Sequence, residues 1–175
     1  MKFLVTGCFG FIGFNFINYI KDKYGNDVFI YGIDSVESSC SEKNKEISKE
    51  LEGFEHKKIN INDIDQESFD KVDIIINFAA ESHVDNSIYN PQLFIDTNVK
   101  GTLNILEAAR DNDVNSIVHT STSEVYGTAQ FTPITEKHPL VGQSPYSASK
   151  IAADQIAYSY YSSFGMPVKI ARPFN

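Results

Sequence analysis

Short apolar runs recur along the chain, each followed by polar or glycine-rich residues and then by a stretch with apolar positions every three or four. The runs at 3–6, 28–33, 54–61, 72–80, 115–120 and 168–171 predict six strands. The run VDIIINFAA at 72–80 is apolar almost throughout, which implies burial on both faces. Amphipathic spacing predicts helices over about 11–23, 66–71, 91–110 and 144–164, with Pro91 at a helix start, where its missing amide hydrogen costs little. The polar segment 35–53 reads as a loop plus a solvated helix.

Strands and helices alternate without internal repeats or low-complexity linkers. That order predicts one doubly wound α/β domain, a parallel sheet of about six strands with helices on both faces. A length of 175 residues suits one domain and leaves no room for a second full one. The net charge of -8 offers no broad basic footprint and argues against nucleic acid as a partner. Cys8 and Cys40 provide neither a disulfide framework nor metal-ligand spacing, and His83 has no second ligand at helical spacing. No metal is expected. The opening MKFLVTGCFGFIG is broken by threonine and glycine before a signal core forms, and no run approaches a membrane span, so a soluble cytoplasmic protein is expected.

Ligands of such sheets sit beyond the carboxyl ends of the strands. The first turn carries Gly7, Gly10 and Gly13, spaced GxxGxxG, followed by Phe11 and Ile12 at the helix start. Glycines permit tight curvature and close approach to a pyrophosphate, and a helix amino terminus offers unpaired amides. Asp34 ends the second strand 21 residues after Gly13, near the spacing of an acid that grips a ribose diol. Together these predict a Rossmann sheet binding NAD, since a carboxylate there repels the 2'-phosphate of NADP. Asp63 and Ile64, after the third predicted strand, are candidates for the adenine edge, although an acidic loop reads nearly as well.

Tyr146 and Lys150 are four apart at the start of a predicted helix and share one face. A lysine ammonium near the phenol is expected to lower its pKa, tuning it to take a proton from an alcohol. Taken alone, the pair reads better as a solvent-facing aromatic and lysine, and only the coenzyme motif beside it favours the catalytic reading.

TGCFGFIG at 6–13, Asp34, Tyr146 and Lys150 resemble the extended short-chain dehydrogenase/reductase family over essentially the whole chain. FAAESHVDNSI at 78–88, TNVKGT at 97–102, STSEVYG at 121–127 and SPYSASK at 144–150 resemble its nucleotide-sugar 4,6-dehydratases. The nearest likeness is to the branch acting on nucleotide-linked N-acetylglucosamine in legionaminic-acid-type pathways. The resemblance implies a catalytic cluster of Thr122, Ser123, Glu124, Tyr146 and Lys150. It also implies coenzyme contacts at Phe78, Ala79, Ala80, Ser82 and Thr97, with Asn98 beside Thr97, and substrate contacts at Ser82, Thr122 and Asn175.

By that likeness Tyr146 deprotonates the hydroxyl on sugar carbon 4 while hydride passes to NAD, Glu124 removes the proton on carbon 5, and water leaves from carbon 6. A carboxylate in a partly dry pocket gains basicity for such a step. The thymidine-linked glucose dehydratases have aspartate where this chain has Ser123, whereas guanosine-linked mannose dehydratases share the Thr-Ser-Glu pattern. Uridine-linked glucuronate decarboxylases share it too, so epimerase and decarboxylase readings stay open beside dehydration. So does a coenzyme-binding regulator without chemistry, although such proteins commonly lose the Tyr and Lys pair.

Family members continue past this length with a carboxyl-terminal region that holds the substrate nucleotide. The expectation is therefore an NAD-binding domain over 1–175 that carries the catalytic residues and lacks the substrate region. The family pairs as a homodimer through the helices beginning at Pro91 and Tyr146; Phe94, Leu103, Tyr158 and Tyr161 are candidates for that face or for the core.

Overall fold

The structure is a computed structural model that describes residues 1–35, 41–65, 67–68 and 71–174. Its strands are β1 (Lys2–Thr6), β2 (Phe29–Asp34), β3 (Phe54–Lys58), β4 (Ile74–Asn77), β5 (Ser116–Thr120) and β6 (Val168–Ala171). The helices are α1 (Phe11–Tyr24), α2 (Glu42–Ser48), α3 (Val84–Tyr89), α4 (Pro91–Phe94), α5 (Gly101–Asp111) and α6 (Pro145–Phe164). All strand pairs are parallel, in the order β3-β2-β1-β4-β5-β6. Chain order reverses between β1 and β4, which opens a crevice at the carboxyl ends of those two strands.

Residue alternation along the strands separates two cores. Leu4, Ile75 and Ile117 pack with Ile105 and Leu106 of α5 and Ala157 of α6. Phe3, Val5, Ile30 and Ile76 face the other way, onto Phe14, Ile17 and Ile20 of α1. Neighbours along β1 thus lie on opposite faces, as a period of two requires, and helices cover both. α6 starts with a reciprocal Ser144–Ser147 capping box and Pro145 in its first turn, and stops at Gly165 in left-handed backbone. These stops fix the register of Tyr146 and Lys150 against β5.

Four expectations need adjustment. β3 ends at Lys58 rather than at residue 61. The helix expected over 91–110 is interrupted by a π-helical segment at Ile95–Lys100, where buried Asn98 turns its amide out to Glu81 and to Ser149 of α6. The short helix α3 was not anticipated. Of the helix expected over 66–71, Glu67 and Ser68 lie in a turn, and Gln66, Phe69 and Asp70 are outside the described residues. The solvated helix within 35–53 appears as α2, capped by Ser41.

Candidate functional site: a cleft over the sheet switch point

Beyond the carboxyl ends of the strands lies a cleft of about 470 Å³. Gly7, Gly10, Phe11, Ile12 and Gly13 form one wall. Gly7 has a φ of +64°, and a Cβ on it would lie 2.9 Å from the Ala79 nitrogen. At Gly13 a Cβ would lie 2.2 Å from the Gly7 carbonyl oxygen. Any side chain at either position would force β1, α1 and the segment after β4 apart. Gly10 caps α1 without a side-chain hydrogen bond, and no acidic residue stands in the first turn, so the helix amides present positive potential to the cleft.

Asp34 lines the cleft at the end of β2, and its Oδ2 accepts the Phe9 amide at 3.0 Å. Phe9 in turn offers its carbonyl to the Asn44 side chain at 3.0 Å, which ties α2 to the glycine turn. Narrow glycine wall, bare helix terminus and carboxylate at the second strand's end fit a dinucleotide. Gly7, Gly10 and Gly13 would pass its pyrophosphate, and Asp34 would hold the adenosine ribose.

The opposite wall carries the reactive side chains. Tyr146 and Lys150 line it, with Thr120 and Ser121 at the end of β5. Outside the cleft's lining, Thr122 caps a 3-10 turn, Ser123–Tyr126, that carries Ser123 and Glu124, and its hydroxyl accepts the Glu124 amide at 3.2 Å. Edge strand β6 pins this turn: Ser121 N–H donates to Ala171 O and Ser123 N–H to Pro173 O. Thr122 also hydrogen-bonds the Tyr146 phenol, and Glu124 is close enough for its charge to act on it.

The electrostatics depart from expectation. Burial first, and the Glu124 carboxylate with it, push the Tyr146 phenol above its ordinary value, against a lowering pull from Thr122. Lys150 does not impose the lowering its spacing suggests. Its Nζ donates to the Thr120 carbonyl at 2.7 Å, and burial brings its own pKa down to about 8, with Asp154 pulling upward. Glu124 is exposed, so the described residues do not build the dry pocket expected around it.

Phe78, Ala79, Ala80, Ser82 and Thr97 line the cleft as expected, and so does exposed His83. Asp63 and Ile64 do not. Asp63 is exposed, Ile64 is buried in the core, and Ile59, Asn60 and Ile61 supply the wall instead. The cause is the strand end: extending β3 through 61 displaced the expected contact three residues along the chain. Phe94 is fully buried against the Tyr146 ring and belongs to the core, whereas Leu103, Tyr158 and Tyr161 are exposed. Asn175 and Cys40 lie outside the described residues. Among the described residues no cluster of metal-ligating side chains occurs and no helix is long and apolar enough to cross a membrane.

A family model described as GDP-mannose 4,6 dehydratase matches residues 4–175. The chain belongs to that family. It is 38% identical over its whole length to the low-salt glycan biosynthesis protein Agl12 of Haloferax volcanii, covering 56% of that protein. DesIV, the dTDP-glucose 4,6-dehydratase of Streptomyces venezuelae solved with NAD bound, superposes with a TM-score of 0.92 at 37% identity, over 98% of this chain and 55% of DesIV. A UDP-glucuronic acid 4-epimerase from Bacillus cereus gives 0.90 at 25% identity, over 98% of this chain and 56% of the epimerase. The chain thus spans about half the length of the relatives it matches.

Proposed function

We propose that this chain is the NAD-binding, catalytic-residue-bearing portion of a nucleotide-sugar 4,6-dehydratase, a lyase. The observation that carries the reading is convergence on Tyr146: its side chain lines the same cleft as the glycine turn and Asp34, and Thr122 and Glu124 stand close enough to act on its phenol. NAD, held by the glycine turn and Asp34, would supply a reversible hydride acceptor for sugar carbons 4 and 6.

The chain's own groups handle the protons. Tyr146 takes the proton of the carbon-4 hydroxyl in its phenolate form, which burial disfavours and the Thr122 hydroxyl favours. The ketone formed at carbon 4 acidifies carbon 5, and Glu124 removes that proton. Ser123 carries no proton acidic enough to release at neutral pH, so the protonated Glu124 then gives its proton to the departing hydroxyl on carbon 6. Base and acid for the elimination are thus one carboxyl group; as hydride returns to carbon 6, carbon 5 regains a proton and Tyr146 releases the one it took, so the site ends as it began. The proposed substrate is an N-acetylglucosamine nucleotide, supported by the motif FAAESHVDNSI, and the proposed assembly is a homodimer through the exposed Leu103, Tyr158 and Tyr161 face.

A form spanning the relatives' full length, incubated with NAD and a panel of nucleotide sugars, tests the proposal by mass spectrometry. Loss of water from an N-acetylglucosamine nucleotide is expected, and loss from another hexose nucleotide would change the sugar alone. The likeness to a 4-epimerase favours one second reading. Epimerisation needs Tyr146 but not Glu124, so unchanged turnover in Glu124→Gln would favour it.

A further inference from the structure

Beneath the cleft runs a line of buried polar side chains that the proposed chemistry does not use. Thr6, Asn77 and His119 on β1, β4 and β5, and Asp154 on α6, are each no more than 2% exposed. Their hydrogen bonds have one direction. The Ala79 amide donates to Thr6 Oγ1 at 3.1 Å, and the Thr6 hydroxyl donates to Asn77 Oδ1 at 2.6 Å. The Asn77 amide nitrogen therefore faces His119 Nδ1, 3.3 Å away, as a donor, which places the imidazole hydrogen on Nε2. His119 Nε2 lies 3.6 Å from Asp154 Oδ1, and neither atom makes a hydrogen bond.

The other Asp154 oxygen accepts Arg172 Nε at 2.8 Å, and Arg172 Nη1 reaches the Tyr126 hydroxyl at 3.3 Å. Tyr126 closes the turn that carries Glu124. Asp154 stands one helical turn after Lys150 on the same buried face of α6. Lys150 meets a neutral carbonyl at Thr120, so Asp154 is the buried negative charge that attracts it. A fully buried carboxylate with one oxygen unbonded is unusual and calls for a reason. Here Arg172 engages one oxygen, the other lies beside His119, and the net negative charge acts on Lys150 one turn back along α6.

We propose that Asp154 is a positioning residue: held by Arg172, with the Thr6–Asn77–His119 line ending beside its other oxygen, it keeps the Lys150 ammonium charged under the cleft and ties the Glu124 turn to α6. The titratable groups that act on or respond to Lys150 are Asp154 from its own helix and His119 from β5, and Arg172 reaches it only through Asp154. Burial and then the Lys150 charge hold His119 well below its ordinary value, so it is neutral at pH 7 and adds no competing charge. Two cations, Lys150 and Arg172, thus share one carboxylate.

The test follows the Lys150 side chain by NMR in lysine-labelled protein across pH, with Lys150→Arg identifying its resonance. The parent midpoint is expected near pH 8. Asp154→Asn moves it below about pH 7, an at least tenfold weaker hold on the proton. Arg172→Gln acts in the opposite sense, raising the midpoint, because Asp154 then has Lys150 as its remaining cation. A folded Asp154→Asn with an unchanged midpoint overturns the proposal, including the case where only thermal stability falls. If Asp154→Asn does not fold, Arg172→Gln decides: a midpoint that stays or falls overturns it. Because the titration is read on the lysine itself, its outcome is independent of turnover and of the dehydratase reading.

Discussion

The β1–α1–β2 half of the cleft and the β5–α6 half solve different problems with different materials. On the glycine side the work is done by backbone: two positions without a Cβ and one bare helix terminus shape the wall, and Asp34 is the principal charged group. On the β5–α6 side the backbone is regular and the side chains converge from separate segments, Thr122 and Glu124 from a turn and Tyr146 from a helix. Beneath them lie charges that must be balanced inside the protein, since Lys150 and Asp154 are both buried. A site built from backbone is sensitive to added volume. One built from buried side chains is sensitive to proton balance.

The largest effect separating the halves is expected for Tyr146→Phe in the relative-length form. Turnover falls about 10³-fold while NAD affinity, measured calorimetrically, stays within about twofold. An equal loss in both would erase the division. Gly13→Ala is the converse: the added methyl meets the Gly7 carbonyl, and urea unfolding should show a loss of about 3 kcal/mol.

Lys150 supplies a pH signature of similar size. Its folded-state pKa of about 8 lies below the ordinary 10.5, so between those values the unfolded chain holds the proton and the folded chain does not. The stability contributed by this group therefore rises as pH climbs from 8 to 10.5, by on the order of 3 kcal/mol at full extent. Urea titrations of the parent minus Lys150→Met should show that rise, and a flat difference would place Lys150 outside the buried charge balance. A smaller effect, about tenfold, is expected on NAD affinity for Asp34→Asn, with weaker discrimination against NADP. Smallest of all, Asp63→Ala should leave NAD affinity unchanged, whereas Asn60→Ala lowers it severalfold.

How much of each half can be read from sequence follows the same division. Glycine spacing, strand periodicity and Asp34 are local signals, and they gave both the fold and the dinucleotide wall. Asp63 and Ile64 stand outside the cleft's lining because the wall depends on where β3 stops, and HKKINI continues a plausible strand pattern past Lys58. His119 sits in an apolar run and reads as core filling; its relation to Asp154 arises only when β5 and α6 pack. The signal for Asp154 is its place one turn after Lys150, a spacing visible in the chain. The Tyr146 shift was misjudged because i,i+4 spacing sets a shared face and says nothing of burial, which outweighs the lysine here.

The central claim is that one cleft both takes hydride from a sugar and gives it back. The direct measurement uses the relative-length form with a nucleotide hexose carrying deuterium on carbon 4, and locates the label in the product. Water loss with deuterium retained on carbon 6 is the predicted result. Deuterium released to solvent, or retained on carbon 4 without loss of water, would contradict it.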